Sequence, residues 1–174
     1  NHMISKPLTA VIITVSDRAS QGIYEDRSGV ELEHILTTYF QGQALTCSIH
    51  RIVIPDEAIQ LTKTLKEAVN QKTDFIFTTG GTGIGSRDIT PDTIRPLLSK
   101  EIPGIMEVIR VKYGFQFPAA ALSRSIAGVV AKSLVYCLPG STKAVKEYME
   151  EIFKTLMHCY KVLQDDPVHE KSQN

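Results

Sequence analysis

The chain has 174 residues, with Lys plus Arg and Asp plus Glu at 19 each, so its formal net charge is zero. That length suits one domain with a sizeable core, and the charge balance argues against the broad basic footprint that nucleic-acid binding needs. The longest apolar run, Leu8 to Val15, falls far short of a membrane span, and Ser16-Asp17 ends it without a signal-peptide cleavage pattern. Three widely spread cysteines, Cys47, Cys137 and Cys159, are expected to be structural thiols of a cytoplasmic protein.

In chain order, residues 1–2 read as a tag remnant before Met3. "TAVIITVSD" is a buried strand ending in a polar loop at Ser16-Asp17. "SGVELEHILTTYF" is a helix, with Ser28 and Glu31 spaced as a capping box and Leu32, Ile35, Leu36 and Tyr39 as its stripe. "LTCSIHRIVIPDE" is a second strand ending at Pro55-Asp56-Glu57, and a helix follows toward Asn70. "DFIFTT" is a third strand, and Thr90 is placed to cap a helix with Pro91 at its first position. Pro96, Pro103 and Pro118 break up the middle. "SLVYCLPGS" is another strand, followed by one long helix with the stripe Val145, Met149, Ile152, Leu156, Cys159 and Leu163. Residues 4–163 form one domain, and 164–174 a polar, frayed tail.

Apolar strands alternating with helices predict an α/β fold with a mostly parallel sheet covered on both faces. In such sheets ligands bind beyond the carboxyl ends of the strands, so the loops at Ser16-Asp17, Pro55-Asp56, Thr79 to Asp88 and Pro139-Gly140-Ser141 are expected to share one crevice.

The third of these loops stands in "TTGGTGIGSRDITPD". Glycines at 80, 81, 83 and 85 allow backbone N–H groups to turn toward a ligand, and a helix start beyond adds its positive end. Phosphate is the natural guest. Neither a P-loop nor a dinucleotide fingerprint fits, because Ser86-Arg87 follows Gly85. Asp88 and Asp92 lie close by in sequence, and Asp56, at the end of the second strand, is expected at the same crevice. Two like charges about 4 Å apart repel by roughly 4 kcal/mol at an effective dielectric near 20, so a cation is needed between acids and phosphates. Mg²⁺ is expected, since it favours one or two carboxylates together with substrate phosphates. Asp92 also suits the first helical turn and Asp56 the start of its helix. Ser123-Arg124 could serve an oxyanion or be an ordinary surface pair. The histidines have no metal-ligand spacing.

Together, "VSDRASQGIYEDRSG", "IPDE", "TTGGTGIGSRDITPD", "PGIMEVIR", "ALSRSIAGV" and "CLPGSTKAV" resemble the MogA/MoaB family of molybdenum cofactor biosynthesis proteins, which includes the G domain of gephyrin. The resemblance implies a three-layer α/β/α fold, assembly as a homo-trimer or hexamer, and transfer of AMP from Mg·ATP to the terminal phosphate of molybdopterin. It places Asp56 and Asp88 at Mg²⁺ or in electrostatic control of the phosphates. Thr79, Gly80, Gly81, Thr82 and Gly83 correspond to the phosphate loop, with Asp92 counted beside it as a binding residue. Ser123 and Arg124 fall on the molybdopterin side, Pro139, Gly140 and Ser141 near the nucleotide, and Ser16 and Asp17 near adenylate or pterin. A molybdate-inserting protein is the implied downstream partner. The short chain is also similar to MoaB members that hold pterin or nucleotide without catalysis, and a competence-damage-type phosphohydrolase is a third possibility.

Overall fold

The computed structural model describes residues 6–165. The expected tag remnant and the tail beyond Asp165 lie outside the described residues. The elements are β1 (Leu8–Val15), α1 (Asp17–Ser20), α2 (Arg27–Gly42), β2 (Cys47–Ile54), α3 (Ala58–Asn70), β3 (Phe75–Thr79), α4 (Thr90–Ile94), β4 (Lys100–Glu101), α5 (Pro103–Gln116), β5 (Ala127–Val130), β6 (Ser133–Leu138), α6 (Thr142–Ile152) and α7 (Leu156–Gln164), with 3-10 turns at Arg95–Leu97 and Pro118–Leu122.

Six strands form one sheet in the order β2-β1-β3-β6-β5-β4. The first four are mutually parallel, and β5 and β4 are antiparallel additions at one edge. Because side chains alternate along a strand, β1 and its neighbours feed two cores. Ala10, Ile12, Phe75, Phe77, Leu134 and Tyr136 pack with α2, α5, α6 and α7. Val11, Ile13, Ile76, Val135 and Cys137 pack on the other face with α3 and Ile94 of α4. The three-layer expectation holds.

Register brings the loops together. Val15 pairs with Ile54, Thr14 with Thr79, and Thr79 with Leu138. Four parallel strands therefore end at nearly one level. The chain passes from β1 to β2 on one side and then returns to β3 on the other, so β1 and β3 flank the switch point where a crevice opens.

Three local expectations are corrected. The cap of α2 is Asp26, which accepts the Gly29 N–H at 3.0 Å, while Ser28 is buried inside the helix. Asp26 wins because it also accepts the Thr14 hydroxyl (2.9 Å) and Arg51 Nη1 (3.1 Å), tying the helix start to β1 and β2. Thr90 lies in α4 rather than capping it, and its hydroxyl donates to the Gly80 carbonyl at 2.9 Å. The long final helix is broken at Phe153–Thr155 into α6 and α7. Among the described residues no helix is long and apolar enough to cross a membrane.

Candidate functional site

A cleft of about 350 Å³ opens where β1 and β3 end, lined by Thr14 to Ser16, the Tyr24–Ser28 stretch, Asp56, Thr79 to Gly81, Asp88 and Gly140. All four predicted loops contribute to it.

The glycine loop is bare because it is crowded. Gly80 has φ +102° and Gly81 φ +70°, a region that costs other residues strain. A Cβ on Gly80 would collide with the Val15 carbonyl oxygen, and one on Gly81 with the Thr90 hydroxyl. Beyond them, the N–H groups of Gly81, Thr82 and Gly83 find no protein acceptor among the described residues. Free successive amides of this kind are what an oxyanion needs. Thr79 donates its hydroxyl to the Pro139 carbonyl at 2.8 Å, which fastens this loop to the turn after β6.

Asp56 and Asp17 exchange bonds. The Asp17 N–H donates to Asp56 Oδ2 at 2.8 Å, and the Asp56 N–H donates to Asp17 Oδ1 at 3.0 Å. Asp17 also accepts Nε and Nη2 of Arg87, both at 3.0 Å, so its carboxylate is committed to the protein. The Arg87 guanidinium holds the Asp17 carboxyl below its usual range. Burial pushes the Asp56 carboxyl up; the Asp17 N–H opposes this, and the neighbouring Asp17 and Asp88 charges add to the rise. Asp88 Oδ2 accepts the Gly85 N–H at 2.9 Å. Asp56 and Asp88 thus each keep Oδ1 without a protein donor among the described residues.

The other expected residues are tied into the fold, Ser16 while also lining the cleft. Ser16 caps α1, its hydroxyl accepting the Ala19 N–H at 3.2 Å. Arg124 does not face an open site; it donates to the Gly83 and Asp88 carbonyls and to Asp92. That contact holds the Asp92 carboxyl below its usual range. Ser123 meets Thr82 (3.4 Å) and Ser125 (2.9 Å), and with Pro139 and Ser141 it lines a second recess rather than the cleft.

Residue types in the sequence did not single out Asp26, Arg18 or Arg27, which all line the cleft. Asp26 could have been found as an acid three residues before Gly29, a cap spacing. Neither Arg18 nor Arg27 has an ion-pair partner among the described residues. Cys137 is an inert structural thiol, its burial pushing the pKa up to about 12.

Free amides, arginines without ion pairs and half-free carboxylates meet at one end of the parallel sheet of an α/β domain. A family model described as a probable molybdopterin binding domain matches residues 11–158. A molybdopterin adenylyltransferase of Helicobacter pylori is 36% identical over 149 residues, covering 85% of this chain and 83% of its own. A molybdenum cofactor biosynthesis protein B of Staphylococcus aureus is 34% identical over 156 residues, covering 88% and 90%. The crystal structure of the tungsten cofactor synthesizing protein MoaB from Pyrococcus furiosus superposes with TM-score 0.82 at 34% identity, covering 92% of this chain and 99% of its own. The chain belongs to the MogA/MoaB family of molybdenum cofactor biosynthesis proteins.

Proposed function

We propose that the chain is a molybdopterin adenylyltransferase, moving AMP from ATP to the terminal phosphate of molybdopterin. The observation that carries this reading is one cleft joining the free Gly81 amide, at the start of a loop whose next two amides are also unpaired, to two carboxylates that each keep an oxygen in reserve. The names of relatives such as the Helicobacter pylori protein support the choice of substrates. An oxygen of the acceptor phosphate bonds to the α-phosphorus of ATP, and the bond from that phosphorus to the bridging oxygen breaks, releasing pyrophosphate. Acceptor and leaving group are both phosphates, so no side-chain nucleophile is required. The chain's task is to position and to neutralise.

Asp56 and Asp88 fit Mg²⁺. Among the described residues no group of three or more His, Cys, Asp or Glu side chains could hold a metal, which suits an ion shared with substrate phosphates rather than a protein cage. When bound, the ion neutralises phosphate charge. The amides of Gly81 to Gly83 receive phosphate oxygens, and Arg18 and Arg27 offset the remaining charge. The Asp17–Arg87 pair and Asp17–Asp56 exchange hold the three loops in register. Cytoplasmic residence is supported by three free thiols. The adenylylated product suits delivery to a molybdate-inserting protein. Self-assembly is supported by an exposed apolar face on α5.

Pyrophosphate release from ATP, Mg²⁺ and molybdopterin tests the reading. Asp56→Asn and Asp88→Asn are each expected to slow it roughly 10²-fold, the scale of losing one preorganised electrostatic group. Undiminished release in the double variant overturns the assignment, and pterin binding without any release points to a holding protein instead.

A further inference from the structure

Residues 123–126, the segment that carries Arg124, lie in no helix or strand. The carbonyls of Ser123 and Ser125 accept no backbone N–H among the described residues. Both are held by one side chain instead. Arg110 Nη1 donates to the Ser125 carbonyl at 2.8 Å and reaches the Ser123 carbonyl at 3.4 Å. Arg110 follows Ile109 on α5, and Ile109 is fully buried, so the helix that carries the guanidinium is fixed in the core. The guanidinium itself is half-buried, and among the described residues it pairs with no carboxylate. A partly buried cation without a counter-ion adds little to stability, so its place is accounted for by what it holds.

What it holds leads to the glycine loop. Between the two serines, Arg124 donates its N–H to the Thr82 carbonyl and its guanidinium to the Gly83 and Asp88 carbonyls. Ser123 Oγ adds a long contact to Thr82 Oγ1 at 3.4 Å and lies 2.9 Å from the buried Ser125 hydroxyl. We propose that Arg110 is a positioning residue: it fastens the Ser123–Ser125 backbone to α5, and through Arg124 it sets where the loop holds its amides and Asp88. Arg110 does not line the cleft, so its influence on the reaction passes through these two steps. Only Nη1 is used, so the task needs a donor at that point and not the planar fork that Arg124 needs. The kinetic consequence rests on the adenylyl-transfer reading, whereas the relay from α5 to the loop does not.

Amide exchange and kinetics on the full chain read the two steps separately. Arg110→Met keeps the aliphatic stem and removes the donor. Exchange of the Arg124 N–H is then expected to speed up about tenfold while the amides of β1 and β3 keep parental rates. The value of kcat/KM for pyrophosphate release should fall about tenfold, less than the cost of a full ångström's misplacement. Arg110→Lys still carries a donor for the two carbonyls and should recover most of both losses. Combining Arg110→Met with Arg124→Lys should cost little more than Arg124→Lys alone, because one residue acts through the other. Parental exchange at Arg124, losses that multiply in the double variant, or no recovery with lysine each overturn the proposal. Faster exchange throughout β1 and β3 would mark a merely structural role and overturn it too. A parent that releases no pyrophosphate sinks the transferase reading alone, and exchange at Arg124 still decides the relay.

Discussion

Arg124 shows how a residue's type and its role can part. Its Nε donates to the Gly83 carbonyl at 2.8 Å, Nη2 to the Asp88 carbonyl at 2.9 Å, and Nη1 to both Asp92 oxygens at 2.9 and 3.0 Å. Its own N–H holds the Thr82 carbonyl at 2.9 Å. The guanidinium is a brace that keeps both ends of the glycine loop at fixed spacing. Lysine has no planar fork and can satisfy only part of this set. Arg124→Lys is therefore expected to reduce kcat/KM for pyrophosphate release by about 10- to 100-fold, the cost of misplacing reacting groups by roughly an ångström. Parental kinetics in that variant would show that the loop holds itself. Asp88 and the glycines were legible as bare amides beside an acid because that spacing is local, whereas Asp56 reaches the cleft only through the order of the strands. The occupation of Asp17 by Arg87, 70 residues away, was not legible, since no local pattern encodes which charges meet. Asp26 was overlooked for a related reason: Ser28 offered a plausible cap, and the contacts with Thr14 and Arg51 that favour Asp26 are tertiary.

Elements were legible where one face met one core. The parallel strands declared themselves by continuous apolar runs, and α3 by its stripe. The antiparallel edge did not: β4 is two charged residues, Lys100 and Glu101, held by pairing with Val129 and Gly128. The break between α6 and α7 was equally hidden, because Met149, Ile152, Leu156 and Leu163 are buried on both sides of it and no proline or glycine marks it. Phe153, at the break, stacks on Tyr39 of α2 with centroids 3.9 Å apart. Just before it, Glu151 joins Lys112 of α5 to Lys154, the latter at 2.9 Å. The two ammonium groups hold the Glu151 carboxyl below its ordinary value. A folded-state pKa that is depressed gives stability above the unfolded value, near ~4.3, that is lost as pH falls through the folded one. Between pH 7 and pH 3 the parent's thermal midpoint should consequently fall further than that of Glu151→Gln, by about 1–3 °C after solvent screening. Identical acid sensitivity in a pair of melting series would remove this tie from the account.

At the scale of the whole molecule, α5 is apolar on two sides. Met106, Ile109 and Tyr113 face the core, whereas Val108, Val111 and Phe115 recur at i, i+3 and i+7 on the outside, with Phe115 88% exposed. Phe117 and Leu122, which follow α5 in the chain, are exposed as well, and Phe117 also lines the recess. Such exposed apolar side chains on a chain with no net charge have little to keep copies apart. The expected assembly of several copies is most simply made here, which would couple association to the recess through Phe117. Sedimentation of the parent should then show a species heavier than one chain, and Phe115→Asp should shift it toward the single-chain mass, since a buried carboxylate without a partner is strongly disfavoured at an interface. The fold should survive, because Phe115 contributes nothing to either core. A parent that sediments as one chain overturns self-association outright. A variant that keeps the parent's mass moves the contact to another face.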